Sequence, residues 1–216
     1  GDVYKRQLPN SDARQSQIYF YIPMGDYNRE ENVRREAFNQ YISGGFSGLI
    51  MNEIREKNSM AYTAYGFASS CGLPGAQTYF SGYIGTQNDK AVDAIDLYMK
   101  LLTDMPERPG RIDNIKSYLR QSALTDHPDS RNLSLRIAEW KRRGYTDDPA
   151  KKELPLIDSL TFPDIVDYYQ KNIKGKPIII GVLGNPKDIS IDALKKFGKV
   201  IRLNEKKLFN EKDTMF

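Results

Sequence analysis

The sequence predicts an α+β fold in which helices cover one face of a mostly antiparallel sheet. Two observations carry this expectation. Segments 17–24, 61–68 and 78–84 alternate along the chain with a period of two, as strands with one buried face do. The other long stretches space their apolar residues as amphipathic helices do, and the element order β-α-α-β-β-α-α-α-α-β-α-β suits a two-layer packing. No internal repeat and no low-complexity linker interrupts the pattern. One domain is therefore expected over residues 16–204, after a loose polar arm (1–15) and before a polar tail (205–216).

Ile18, Phe20 and Ile22 share one face of the first strand, with Tyr19 and Tyr21 on the other, until Pro23 and Gly25 end it. From Arg29 to Ile42 a helix carries Val33, Ala37, Phe38, Tyr41 and Ile42 inward. Ser47 is placed to cap a short helix with Leu49, Ile50 and Ile54 inside. Beyond Lys57 a strand sets Tyr62, Ala64, Gly66 and Ala68 against Thr63, Tyr65 and Phe67. A turn at Gly72–Gly75 joins it to an antiparallel partner, Thr78–Ile84, whose tyrosines read as cross-strand pairs. A helix from Asn88 opposes Val92, Ile95, Met99 and Leu102 to an acidic, solvated stripe, and Pro106 ends it. A second helix runs from Pro109 to about Asp126. A third, roughly Asp129 to Arg143, presents Leu133, Ile137 and Trp140 on one side and stops at Gly144. Residues 145–160, with Pro149 and Pro155, are expected to form a loop. Thr161 and Asp164 open a capped helix bearing Ile165, Tyr168, Tyr169 and Ile173. Ile178–Leu183 is the most apolar run and reads as a central strand. Ser190 caps a short helix, and Val200–Leu203 reads as an edge strand.

Composition narrows the function. A chain of 216 residues buries a core without staples, and its single Cys71, expected half-buried beside the turn, excludes an internal disulfide framework. The net charge of +4 is mild, and the lysines that crowd the end read as a solvated face rather than a nucleic-acid stripe. No apolar run approaches the ~20 residues of a membrane helix. A soluble chain is expected, periplasmic or cytoplasmic if bacterial, with any signal peptide upstream of Gly1. A catalytic zinc takes about three protein ligands, and His127, the only histidine, precedes the helix-breaking Pro128. No metal site, nucleophile elbow, phosphate loop or dinucleotide fingerprint is present in the sequence.

The stretch Ser43–Tyr65 carries the functional signal. Adjacent glycines lead into the short helix, Arg55 falls near its end, and Tyr62 opens the next strand, a placement that can aim both polar tips at one point. This stretch resembles the C-terminal-type domain of the M16 zinc metallopeptidases (insulinase, pitrilysin, mitochondrial processing peptidase), whose pattern runs G-G-G-x-S-S-R-L-x-x-x-I/L-R-E-x-x-G-L-A-Y. Gly44, Gly45, Phe46, Ser47, Glu53, Ile54, Arg55, Glu56, Lys57, Ala61 and Tyr62 fall in register. Ser43 and Ser59 stand for glycines, Gly48 for a serine, Leu49 for an arginine and Met60 for a leucine. Residues 178–200 are similar to the family's closing V-x-G-N/D…L…F/Y-G-x-V segment, so the resemblance spans Gln17 to about Leu203.

The resemblance implies the non-catalytic half of a zinc metallopeptidase. Tyr62 would donate to the substrate carbonyl at the scissile bond and Arg55 would hold the peptide backbone. The zinc would come from an H-x-x-E-H-bearing domain or subunit, fused upstream or separate. A fixed donor aimed at a developing oxyanion contributes on the order of 3 kcal/mol in a dry site. Ala64, Gly66 and Ala68 would leave an open shelf beside Tyr62 for an extended peptide, with the two tips on one concave surface within ~7 Å by strand geometry. The competing class is a scaffold or interaction protein of the same fold, like the M16-related core subunits of respiratory complexes. A basic nucleic-acid binder, a third class, rests on the isoelectric point alone.

Overall fold

The computed structural model describes residues 14–56, 58–126 and 129–203. The alternating segments form a four-stranded sheet of β1 (Gln15–Asp26), β2 (Thr63–Ser69), β3 (Gln77–Gln87) and β4 (Ile179–Leu183). The order is β2-β3-β1-β4, and every neighbouring pair is antiparallel. On the inner face Ile18, Phe20, Ile22, Phe80 and Ile84 are fully buried, each contributing about 1.5–3 kcal/mol by its removal from water.

Helices cover that face. Helix α1 (Asn32–Ser43) packs on β2 with Phe38, Tyr41 and Ile42, and α2 (Ala91–Thr103) packs on β1 and β3. A second tier lies outside them: α3 (Ile112–Thr125), α5 (Ala150–Ser159) and α6 (Phe162–Asn172) pack on α1 or on each other. The expected capping box opens α6, with Thr161 N–H donating to Asp164 Oδ2 at 2.8 Å, and Ile165, Tyr168, Tyr169 and Ile173 are all buried.

Tyr98 is the anchor of the two layers. Gly66 and Gly82 stand opposite each other across β2 and β3. A Cβ at Gly82 would lie 2.1 Å from Tyr98 Oη, and one at Gly66 would lie 2.4 Å from it, so the absent side chains are what admit the ring. Phe20, the β1 partner of Gly82, stacks on that ring at 4.1 Å between centroids. Tyr98 Oη donates to the Tyr65 carbonyl at 2.9 Å, and complete burial holds its phenol well above the usual tyrosine range, so it stays a donor. Sequence periodicity puts Val92 and Met99 inside α2. In the structure they sit at the margin, and Tyr98 and Leu101 take the core beside Ile95 and Leu102.

Other expectations change as well. Residues 150–159 are helix α5 despite Pro155. Asp148 Oδ1 accepts from the Ala150 N–H at 2.9 Å at its start, and burial of Ile157 and Leu160 outweighs the bond that the proline forfeits. Strand β4 is an edge rather than a central strand: it pairs with β1 alone and leaves Ile179 64% exposed. Residues 199–203 form no strand, and Val200, Ile201 and Leu203 are exposed. Helix α4 (Leu133–Arg142) forms and ends at Gly144 as expected, but none of its residues is fully buried. Cys71 is exposed rather than half-buried. Strand β1 begins at Gln15, within the expected arm. The rest of that arm save Arg14, the tail and His127 lie outside the described residues.

The outer face of the sheet differs in kind. Tyr19, Tyr83 and Tyr65 form one register row with ring centroids 5.2 and 5.3 Å apart, and Tyr21 stacks with Tyr79 at 5.6 Å. These are the expected cross-strand pairs, and they face solvent.

Candidate functional site

The segment between α1 and β2 places both predicted residues. Ser47 does not cap the helix after it. It belongs to a 3-10 turn (Gly45–Ser47), its hydroxyl bonds back to the Gly44 carbonyl at 3.3 Å, and Gly48 follows in an extended conformation. The helix begins at Leu49 and widens to a π-helix over Met51–Glu56. Leu49, Ile50 and Ile54 are buried as their spacing predicts, and Glu53 is ion-paired with Arg108, so the helix is fixed on two sides. A π-turn inside a helix often marks a functional site.

The end of this helix is built by backbone bonds. Ser59 N–H donates to the Arg55 carbonyl and Met60 N–H to the Ile54 carbonyl, both at 2.9 Å, a widened form of the closure that a left-handed residue allows. Ser59 supplies that conformation at φ 50°, the one non-glycine residue with positive φ among the described residues. The M16-type pattern has glycine at this position, and the departure explains itself: the backbone geometry is kept, and serine bears the strain.

The chain then enters the sheet. Tyr62 N–H donates to the Gly85 carbonyl at 2.9 Å, and the Thr86 hydroxyl donates to the Met60 carbonyl, which ties residues 60–62 to the end of β3. Tyr62 stops one residue short of β2 and is 55% exposed. Arg55 is 45% exposed along its side chain, and its Nε lies 3.6 Å from Glu56 Oε1. Arg55 and Tyr62 line the same surface depression of ≈ 400 Å³, together with Glu56, Gln87 and Lys90. Lys90 Nζ donates to the Ser59 carbonyl at 3.3 Å, and Gln87 Nε2 donates to Tyr62 Oη at 3.1 Å.

The expected shelf is not part of this depression. Ala64, Gly66 and Ala68 face the helices, because α1 and Tyr98 need small residues beneath them. Tyr62 escapes that face because it precedes the strand. Gln87 and Lys90 were not identified in the sequence. Gln87 carries only the weak signal of an outward position at the end of an alternating strand, and Lys90 none.

The arrangement offers donors: a guanidinium, a phenol, an amide and an ammonium around one concavity, which suits the carbonyl oxygens of an extended backbone. The chain's own donor set does not fit a resident catalytic zinc, which takes about three protein ligands. The sequence has a single histidine, and among the described residues no group of three or more His, Cys, Asp or Glu side chains is placed to hold a metal ion. No helix among the described residues is long and apolar enough to cross a membrane.

Comparison with known proteins agrees with the fold. The family model for the peptidase M16 inactive domain matches residues 3–110. The chain is 25% identical over 192 residues to an uncharacterized zinc protease of Streptomyces coelicolor, covering 84% of this chain and 39% of that protein. It thus spans well under half the length of this curated relative. In structure it is similar to a peptidase M16 inactive domain from Pseudomonas fluorescens, with a TM-score of 0.64, 15% identity, and 89% of this chain and 42% of that one covered. It is similar also to a chain of complex III2 from Candida albicans, with a TM-score of 0.63, 12% identity, and 89% and 48% covered. At such identities these structural likenesses concern the fold alone.

Proposed function

The chain belongs to the peptidase M16 family, matching its inactive domain, and from that premise we propose that it is the substrate-holding half of a zinc metallopeptidase. Residues 16–204 act as one unit facing a zinc-bearing, H-x-x-E-H-containing domain or subunit, with a peptide between them. Arg55 holds the peptide backbone, and Tyr62 donates a hydrogen bond to the carbonyl at the scissile bond. The observation that supports this reading is the shared depression: the two tips, seven residues apart in sequence, open on one solvent-facing concavity. The metal and the attacking water belong to the other half, and this chain contributes orientation and a donor for developing negative charge.

The test is peptide cleavage by the assembled enzyme. Tyr62→Phe is expected to lower kcat about a hundredfold with little change in KM, because a donor aimed at an oxyanion acts in the transition state. Arg55→Ala is expected to raise KM about tenfold, because charge-assisted anchoring is already made in the ground state. Wild-type kcat/KM in both folded variants would favour the second reading, an M16-like scaffold without proteolytic role. That reading draws its support from the exposed aromatic face and from the fold shared with the complex III2 chain.

A further inference from the structure

Gln87 ends β3 and is exposed, on the same side of the sheet as Tyr83 and Tyr79. Its Nε2 donates to Tyr62 Oη at 3.1 Å. The spacing of the two residues is set by the backbone, since Tyr62 N–H bonds to Gly85 and the Thr86 hydroxyl bonds to Met60. A phenol oxygen accepts through its lone pairs and donates through one proton. Once the amide occupies the acceptor side, the proton is left for a different partner, and among the described residues no acceptor takes it. Both residues line the depression, so the hydroxyl is placed to turn that proton toward the space a substrate would fill.

We infer that Gln87 is a positioning residue for Tyr62: by donating to Oη it turns the hydroxyl so that its proton is presented to the substrate carbonyl. The inference rests on the reading of Tyr62 as the carbonyl donor, and it is directional. Gln87→Leu removes the donor. Gln87→Glu reverses it, because a carboxylate accepts only and draws the Tyr62 proton away from substrate.

The experiment measures cleavage of a fluorogenic peptide by the chain assembled with its zinc-bearing half, after thermal unfolding has established that each variant is as stable as the parent. Gln87→Leu is expected to lower kcat about fivefold, the rate equivalent of one neutral hydrogen bond, with KM unchanged. Gln87→Glu is expected to lower kcat further. Its deficit relative to the parent should narrow as the pH falls through the ordinary carboxylate range, where the protonated acid regains a donor. In the Tyr62→Phe background neither change at position 87 should alter kcat. A Gln87→Glu enzyme with parental kcat overturns the inference, as does a deficit that persists in the Tyr62→Phe background. A Tyr62→Phe enzyme with parental kcat/KM is a different result: it removes the carbonyl-donor reading itself, and the role of Gln87 with it.

Discussion

The two faces of the β2–β3 hairpin obey opposite rules although they share the same strands. Inward, Ala64, Gly66, Ala68 and Gly82 are small, and the space they leave is filled by Tyr98 and Ile50 from the helical layer and by Phe80 from β3 itself. Outward, Tyr65, Phe67, Tyr79 and Tyr83 are large and touch mainly their neighbours on the same face. Close-packed interiors fix the position of every atom, whereas an exposed aromatic row gains only the pairwise term of stacked rings. Alternation of residue size along a strand is therefore informative beyond alternation of polarity. Here it tells which face receives another layer.

Substitutions can break this contrast. Gly82→Ala puts a methyl into the Tyr98 ring and is expected to cost about 1–3 kcal/mol, a fall in Tm of ~2–4 °C per kcal/mol, read by thermal unfolding. Tyr65→Ala removes the β2 end of the outer row, with its stacking on Tyr83 and Phe67, and is expected to cost only about 0.5–1 kcal/mol in the same assay. An equal loss from the two would mean that the outer face is as tightly constrained as the inner one, and the contrast would fall. The smallest effect lies where the hairpin is entered. Ser59→Gly relieves the positive φ at the end of the π-helix and is expected to stabilise by about 0.5 kcal/mol in urea titrations, since the strain released exceeds the added chain entropy. A loss of stability there would show that the serine hydroxyl matters more than the backbone.

Much of this was legible in the sequence, for physical reasons that also mark the limit. Period-two alternation located β1, β2 and β3, and the Thr161/Asp164 cap located α6, because each depends on residues near in sequence. The edge position of β4 was not legible. An apolar run signals burial, yet Ile178–Leu183 pairs with one strand alone, and Ile178, Ile180 and Val182 are only partly buried against the core. Helix α5 was hidden by Pro155, whose local penalty is offset by Ile157 and Leu160 at a distance that no local rule covers. Arg55 and Tyr62 were singled out by the resemblance of residues 43–65 to the M16 pattern, which is local in sequence. Their company was not, since Gln87 reaches Tyr62 across 25 residues through strand pairing.

In the π-helix at Met51–Glu56, chain length matters as much as residue identity. Each residue added to a helix turns the next one by about 100° around the axis. The wide turn closes with Met60 bonded to Ile54, a longer loop than an α-helical end would use. Loss of a single residue from this segment would let it relax to an α-helix, and Arg55 would swing about a quarter turn away from the depression while every recognisable motif letter survived. The direction in which the arginine points is thus encoded as a count, and a substitution scan that never changes the count would pass over it.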